Sequence, residues 1–223
     1  MTKTLFLTGA SSGIGAATAR AAAKAGWNIG LFARSEDKLN DLAAEIGDQA
    51  LVLVGDATDY DAQKQALDKL ANHFGGVDAA FANAGRGTSP AGTENGDPQD
   101  WKAMVDLNIM GALYTAHAAM PHLRKTTGQY VVTGSAAGRR HIQGSIYSAT
   151  KWFIHGFAGN LADEMAEWGG RCMVVSPGMV DTAFFDEAKP DKLQPEDVAN
   201  AVMHALEAPA RAAIREIHLM PTG

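Results

Sequence analysis

Tyr147 and Lys151 stand four residues apart, and Ser135 lies twelve residues before the tyrosine. If Tyr147 and Lys151 share a helix, they sit on one face, one turn apart. A free phenol has a pKa near 10 and is a poor acid–base group at neutral pH. A neighbouring ammonium favours the phenolate and pulls that pKa down. A serine hydroxyl beside them can donate a hydrogen bond to a substrate oxygen. Together the three form a proton-transfer unit suited to a carbonyl/alcohol pair. A tyrosine and lysine at this spacing also occur on any amphipathic helix face. The serine directly after an apolar strand, and the glycine loop upstream, favour chemistry.

That loop is Thr8-Gly9-Ala10-Ser11-Ser12-Gly13-Ile14-Gly15, set between a strand-like run and an alanine-rich helix. Gly9 permits a tight turn, Gly13 lets the backbone approach a pyrophosphate, and Gly15 lets helix pack close to strand. Amides at the helix start then bind the anion. The spacing is GxxxGxG rather than the more familiar GxGxxG. After the second strand, an acidic residue would accept hydrogen bonds from ribose hydroxyls and favour NAD. Arg34 stands there instead, where a guanidinium suits a 2′-phosphate. NADP(H) is therefore expected over NAD(H); the other reading of Arg34 is a solvated arginine at a helix start.

The elements that must hold these residues are legible as alternation. Strand-like runs cover Thr4–Thr8, Asn28–Phe32, Ala50–Val54, Val77–Phe81, Gln129–Thr133, Arg171–Val175 and Glu216–Met220. Between them run helix-like stretches at Ala16–Ala25, Ser35–Ile46, Asp61–Phe74, Asp100–Leu123, Ile146–Trp168 and Pro195–Leu206. Continuous apolar strands alternating with helices predict an α/β fold, a parallel sheet with helices on both faces. Sites in such sheets lie beyond the carboxyl ends of the strands. No stretch reads as a linker and no repeat is present, so residues 1–223 are expected to form one domain. Gly85 to Pro98, rich in glycine and proline, reads as a surface loop within it.

Composition narrows the partners. Nineteen Lys and Arg against 25 Asp and Glu give a net charge of −6, with no dominant basic patch for nucleic acid. The single cysteine, Cys172, excludes an intrachain disulfide and suits a reducing compartment. No apolar run approaches a membrane span, and the opening residues do not read as a signal peptide. A soluble cytoplasmic protein is expected. The histidines show no zinc-ligand spacing, so no metal is expected.

The motifs together resemble the short-chain dehydrogenase/reductase family along essentially the whole chain. The matching segments are TGASSGIG at Thr8–Gly15, DATD at Asp56–Asp59, NAG at Asn83–Gly85, DLNIMG at Asp106–Gly111, GSAAG at Gly134–Gly138, YSATK at Tyr147–Lys151 and SPGMVDT at Ser176–Thr182. The resemblance implies a single Rossmann-type domain, a doubly wound seven-stranded parallel sheet in the order 3-2-1-4-5-6-7. It implies that Tyr147 is the acid–base residue and that Ser135 orients the substrate oxygen. Lys151 would hold the nicotinamide ribose and lower the tyrosine pKa. Asn108 would kink its helix and hold a water that relays protons. The cofactor would lie against Gly9, Ser11, Ser12, Gly13, Ile14, Gly15, Arg34, Asp56, Ala57, Asn83, Ala84 and Gly85. It would also meet Tyr147, Lys151, Pro177, Gly178, Val180 and Thr182. Asp56 and Asn83 also fit turn-stabilising roles. Ala82 departs from the family, which often has a second Asn there. The C-terminal LQPEDVA and EIHLMP segments, Leu193–Ala199 and Glu216–Pro221, resemble the branch with bacterial NADP-dependent 3-hydroxy-acid and serine dehydrogenases.

The substrate side is expected around Arg139, Arg140, His141, Met179 and Phe184. The two arginines suit a carboxylate or are solvated surface; Phe184 and Phe185 form an apolar lid or a short packed helix. A small carbonyl, alcohol or hydroxy acid is the expected substrate. The resemblance further implies that the two longest helices pair between subunits of a homodimer or homotetramer. A non-catalytic NADP-binding sensor and an epimerase or dehydratase are the competing readings. An intact Ser135, Tyr147, Lys151 and Asn108 set argues against the sensor. The shortness of the chain after its last strand argues against the second.

Overall fold

A computed structural model describes residues 2–87, 92–185 and 187–222. Seven strands form one parallel sheet: β1 Thr4–Thr8, β2 Asn28–Ala33, β3 Ala50–Val54, β4 Ala79–Ala82, β5 Gln129–Thr133, β6 Arg171–Pro177 and β7 Glu216–Leu219. Their order is β3-β2-β1-β4-β5-β6-β7, as the family resemblance implied. The order reverses between β1 and β4, which opens a crevice at the carboxyl ends of these two strands.

Alternation along each strand splits the core into two layers. Leu5 and Leu7 of β1 face one way, with Ile29, Leu31, Phe81, Val131 and Val175. They pack against α1 Gly13–Lys24, α2 Glu36–Ile46 and α8 Pro195–Leu206. Phe6, Phe32, Ala80, Tyr130 and Val174 face the other way. They pack against α3 Tyr60–Phe74, α6 Ala112–Thr126 and α7 Ile146–Ala166. Continuous apolar strands are thus explained by helices on both faces. No helix among the described residues is long and apolar enough to cross a membrane.

The long helix expected over Asp100–Leu123 is broken. After the single turn α4 Gly92–Asn95 comes α5 Pro98–Val105, then a π-helical turn over Asp106–Gly111, and only then α6. The widened turn turns the Gly111 carbonyl toward side chains: Gln63 Nε2 donates to it at 3.1 Å and Thr115 Oγ1 at 2.9 Å. Such π turns mark functional positions more often than ordinary helix does. Residues 88–91, within the expected Gly85–Pro98 loop, lie outside the described residues.

Candidate active site

The glycine loop joins β1 to α1 at the crevice. Gly9 and Gly13 adopt positive φ, +69° and +51°, where a side chain would be strained. At Gly15 the constraint is space, since a Cβ would lie 2.1 Å from the Gly9 carbonyl oxygen. Ser12 begins α1 with no side-chain cap, and the first turn holds no acidic residue. Uncapped amides at a positive helix end, reached over a glycine backbone, fit a pyrophosphate. Ser11 is half-buried, Ser12 exposed, and Ile14 tucks against the core.

Three further segments close around this loop. Thr8 Oγ1 accepts from the amides of Asn83 and Ala84, both at 3.1 Å. Asn83 Nδ2 donates to the carbonyls of Thr8 at 3.3 Å and Gly9 at 3.5 Å, and its Oδ1 accepts from Thr133 Oγ1 at 3.1 Å. Asn83 therefore ties three strand ends together. Asp56 Oδ1 accepts from the Thr58 amide and hydroxyl, both at 2.9 Å, the turn-stabilising arrangement. Its other oxygen stands 3.8 Å from Arg34, whose side chain is 79% exposed. Arg34 thus reaches over the ends of β2 and β3 with most of its guanidinium in solvent. Ala57 is buried, and its carbonyl accepts from Gln63 Nε2 at 2.7 Å. On the far side, Thr182 hangs over Gly13; a Cβ there would meet its methyl at 3.1 Å. Pro177 ends β6, the Gly178 amide donates to Leu219, and Val180 is buried.

Ser135, Tyr147 and Lys151 meet beyond the end of β5. Ser135 caps the 3₁₀ turn Ala136–Arg139, with its Oγ accepting from the Ala137 amide at 3.0 Å. That leaves the hydroxyl proton and a lone pair, and the serine favours the charged form of Tyr147. Ser145 caps α7 through the Ser148 amide at 3.1 Å, which fixes where the helix begins and so where Tyr147 points. Lys151, one turn along, is only 5% exposed. Its Nζ donates to the Thr133 carbonyl at 2.7 Å and sits 5.7 Å from the centre of the Tyr147 ring. Gly85 lies beside it; a Cβ there would be 3.9 Å from Nζ.

The electrostatics differ from the sequence expectation. Burial raises the Tyr147 phenol above its usual pKa, and the Ser135 hydrogen bond only partly offsets this. No contribution from the Lys151 ammonium, whose Nζ points to the Thr133 carbonyl, offsets that rise. Burial pushes Lys151 down to about 8. At neutral pH the pair is a protonated phenol beside a weakly held ammonium.

Asn108 sits in the π turn and is 2% exposed. Its side chain clamps the backbone of Arg86, accepting from the amide at 2.8 Å and donating to the carbonyl at 2.8 Å. Nδ2 also donates to Thr150 Oγ1 at 3.1 Å, which couples the turn to α7. Asn108 thus lies in a π turn, with its side chain engaged by protein groups.

The substrate-side residues separate. Phe184 covers the tyrosine, its ring 5.5 Å from that of Tyr147 and pressed on the Gly87 backbone. Among the described residues of this segment, Phe184 and Phe185 lie in no helix; Asp186 lies outside the described residues. Met179 is exposed at the same rim. Arg139 does not offer a free guanidinium: it forms a bidentate pair with Glu216 on β7. Arg140 is exposed, and His141 stacks on Trp152 with ring centres 5.7 Å apart. Thr8, Thr133, Thr150 and the Arg86 backbone shape the site too; Thr8 and Thr150 lie inside motifs the sequence marks, while Thr133 and Arg86 are marked by none.

The family model for short chain dehydrogenases matches residues 3–193. An uncharacterised oxidoreductase of Staphylococcus saprophyticus is 36% identical over 228 residues, spanning 98% of this chain and 97% of that protein. Sulfoacetaldehyde reductase 2 of Chromohalobacter salexigens is 35% identical over 240 residues, spanning all of this chain and 95% of its own. Among solved structures, alcohol dehydrogenase from the archaeon Thermococcus sibiricus, complexed with 5-hydroxy-NADP, superposes with a TM-score of 0.92 at 30% identity, over 100% of this chain and 97% of that one. Serine dehydrogenase from Escherichia coli does so with a TM-score of 0.90 at 27% identity, over 98% and 97%.

Proposed function

The chain belongs to the short-chain dehydrogenase family, and from that premise we propose that it is an NADP(H)-dependent oxidoreductase interconverting a small polar carbonyl and its alcohol. The observation that carries this reading is the meeting of Ser135, Tyr147 and Lys151 at one crevice with the uncapped glycine loop. Bound in the crevice, the nicotinamide supplies or accepts the hydride. The loop amides at Gly13, Ile14 and Gly15 hold the pyrophosphate, and Asp56, Ala57, Asn83 and Ala84 line the way to it. Lys151 and Gly85 would hold the ribose end, and Val180 and Thr182 would meet the nicotinamide end. Ser135 Oγ–H donates to the carbonyl oxygen and fixes its orientation. Tyr147 gives its proton to that oxygen as negative charge develops there. Its raised pKa keeps the proton available through neutral pH, which favours reduction. In the reverse direction the phenolate takes the alcohol proton, and higher pH helps.

Arg34 is assigned to the 2′-phosphate of the cofactor. It stands where a ribose-binding acid would otherwise be, and its guanidinium is largely in water. The sulfoacetaldehyde reductase and serine dehydrogenase likenesses support a small anionic or zwitterionic substrate. With Arg139 paired to Glu216, reading the anion falls to Arg140. Phe184 limits size by covering Tyr147. Exposed Trp152 and Phe153 on α7 support self-association through that helix; light scattering should give a dimer or tetramer, and a monomer at micromolar concentration contradicts it. The function itself is tested with NADPH against a panel of short anionic aldehydes, hydroxy acids and bulky apolar ketones. Preference for the small charged compounds supports the reading; preference for the ketones refutes the substrate class.

A further inference from the structure

Behind Ser135 lies a second cluster, built from α7, β6 and β7, that the reaction itself does not use. His155, one turn beyond Lys151 on α7, brings Nε2 to 3.3 Å from the Ser135 carbonyl oxygen. A carbonyl only accepts, so Nε2 carries the proton. Ser176 Oγ on β6 lies 3.3 Å from the same nitrogen. The loop Gly134–Arg139 presses on this ring at both ends. A Cβ at Gly134 would fall 3.1 Å from His155 Nε2 and 2.9 Å from Ser176 Oγ; at Gly138 it would fall 2.7 Å from His155 Cδ2. On its other side the ring is backed by Glu216 of β7, whose Oε1 stands 3.7 Å from Nδ1. That separation is too long for a hydrogen bond. The carboxylate is held instead by Arg139, at the downstream end of the same loop. Burial lowers the His155 pKa, and the nearby charges of Arg139 and Lys151 lower it further against the opposing hydrogen bond to Ser135, so the ring is held neutral.

We propose that His155 is a positioning residue for Ser135, fixing its carbonyl from behind while the Arg139–Glu216 pair locks the far end of the loop to the last strand. The inference rests on the reading of Ser135 as donor to the substrate oxygen. With Ser135 O held by His155 and by the Gly138 amide at 3.0 Å, and Oγ held by the Ala137 amide, the side chain has one direction left. Loss of the rear contact frees the peptide plane and lets Oγ wander, and a displacement of about 1 Å at a reacting group can cost up to 10²-fold in rate.

The test compares His155→Leu with His155→Gln, because a glutamine amide can present an N–H to the same carbonyl. Three readouts are taken: kcat with NADPH at saturation, NADPH affinity, and amide hydrogen exchange at Ala137 and Gly138. The expected result is a kcat lowered by about tenfold or more in His155→Leu, faster exchange at both amides, unchanged NADPH affinity, and recovery of most of the rate and of the exchange protection in His155→Gln. Arg139→Met, at the exposed end of the cluster, should speed exchange at Gly138, and this arm stands if the leucine variant does not fold. Equal losses in the leucine and glutamine variants, weakened NADPH binding, or exchange unaltered in both His155→Leu and Arg139→Met overturns the inference. Failure of the oxidoreductase reading shows separately, as wild-type protein inactive on every carbonyl, while the exchange measurement still decides the role of His155.

Discussion

Replacing Lys151 by methionine should change how stability depends on pH. The ammonium is 5% exposed, and burial lowers its pKa from 10.5 to about 8. Below pH 8 the lysine is protonated whether folded or unfolded, and folding carries the full cost of burying the charge. Each pKa unit corresponds to about 1.4 kcal/mol, so that cost is roughly 3 kcal/mol. Between about 8 and 10.5 the unfolded chain binds more protons at this site than the folded one, and stability therefore rises with pH. By pH 10 the penalty has fallen by about 2 to 3 kcal/mol relative to pH 7. Methionine fills a similar volume and does not titrate. Methionine also leaves the Thr133 carbonyl without this donor, but that loss is constant with pH and cancels when the two conditions are compared. Urea unfolding of both proteins at pH 7 and pH 10 gives the quantity needed. The wild type should gain about 2 to 3 kcal/mol on the variant over this range. A gap that stays fixed, or one that moves against the wild type, would mean that the ammonium is not destabilised in the fold. The reasoning about a strained lysine at the site would then be wrong. Strain of this kind concentrates where chemistry is done.

Other outcomes follow from the same geometry. Arg34→Ala should weaken NADPH binding by about ten- to a hundredfold, the worth of a charged hydrogen bond, and leave NADH binding nearly unchanged; equal effects on both, in fluorescence titrations, would count against the 2′-phosphate assignment. Gly15→Ala places a methyl 2.1 Å from a backbone oxygen of the loop, so either nucleotide should bind poorly while circular dichroism still reports the folded sheet. NADPH affinity should decline through about pH 8 as Lys151, at the ribose end, loses its charge, and kcat for oxidation should climb as Tyr147 ionises. An affinity that stays level up to pH 10 would remove Lys151 from the ribose-holding role.

Much of this was legible because it is local. The strand-by-strand alternation, the glycine spacing after β1 and the Tyr147–Lys151 interval are set within a few residues, and each reappears in the structure. The π turn at Asp106–Gly111 was not readable as such, since one residue of extra winding hardly disturbs an apolar stripe. Its stabilising partner, Gln63, comes from another helix. The direction of the Tyr147 shift is set by burial, and Lys151 is drawn to Thr133, eighteen residues away. Arg139 looked like an anion reader because Glu216, its partner, is 77 positions distant. Contacts of that range leave no periodic trace.

Single-turnover oxidation of bound NADPH by a good carbonyl substrate, in wild type and Tyr147→Phe, bears on the proton donor itself. The phenylalanine keeps the ring that faces Phe184 and removes only the hydroxyl. The rate should fall by about 10² to 10⁴, with NADPH affinity unchanged. A variant that oxidises its cofactor as fast as the wild type would show that the proton comes from elsewhere.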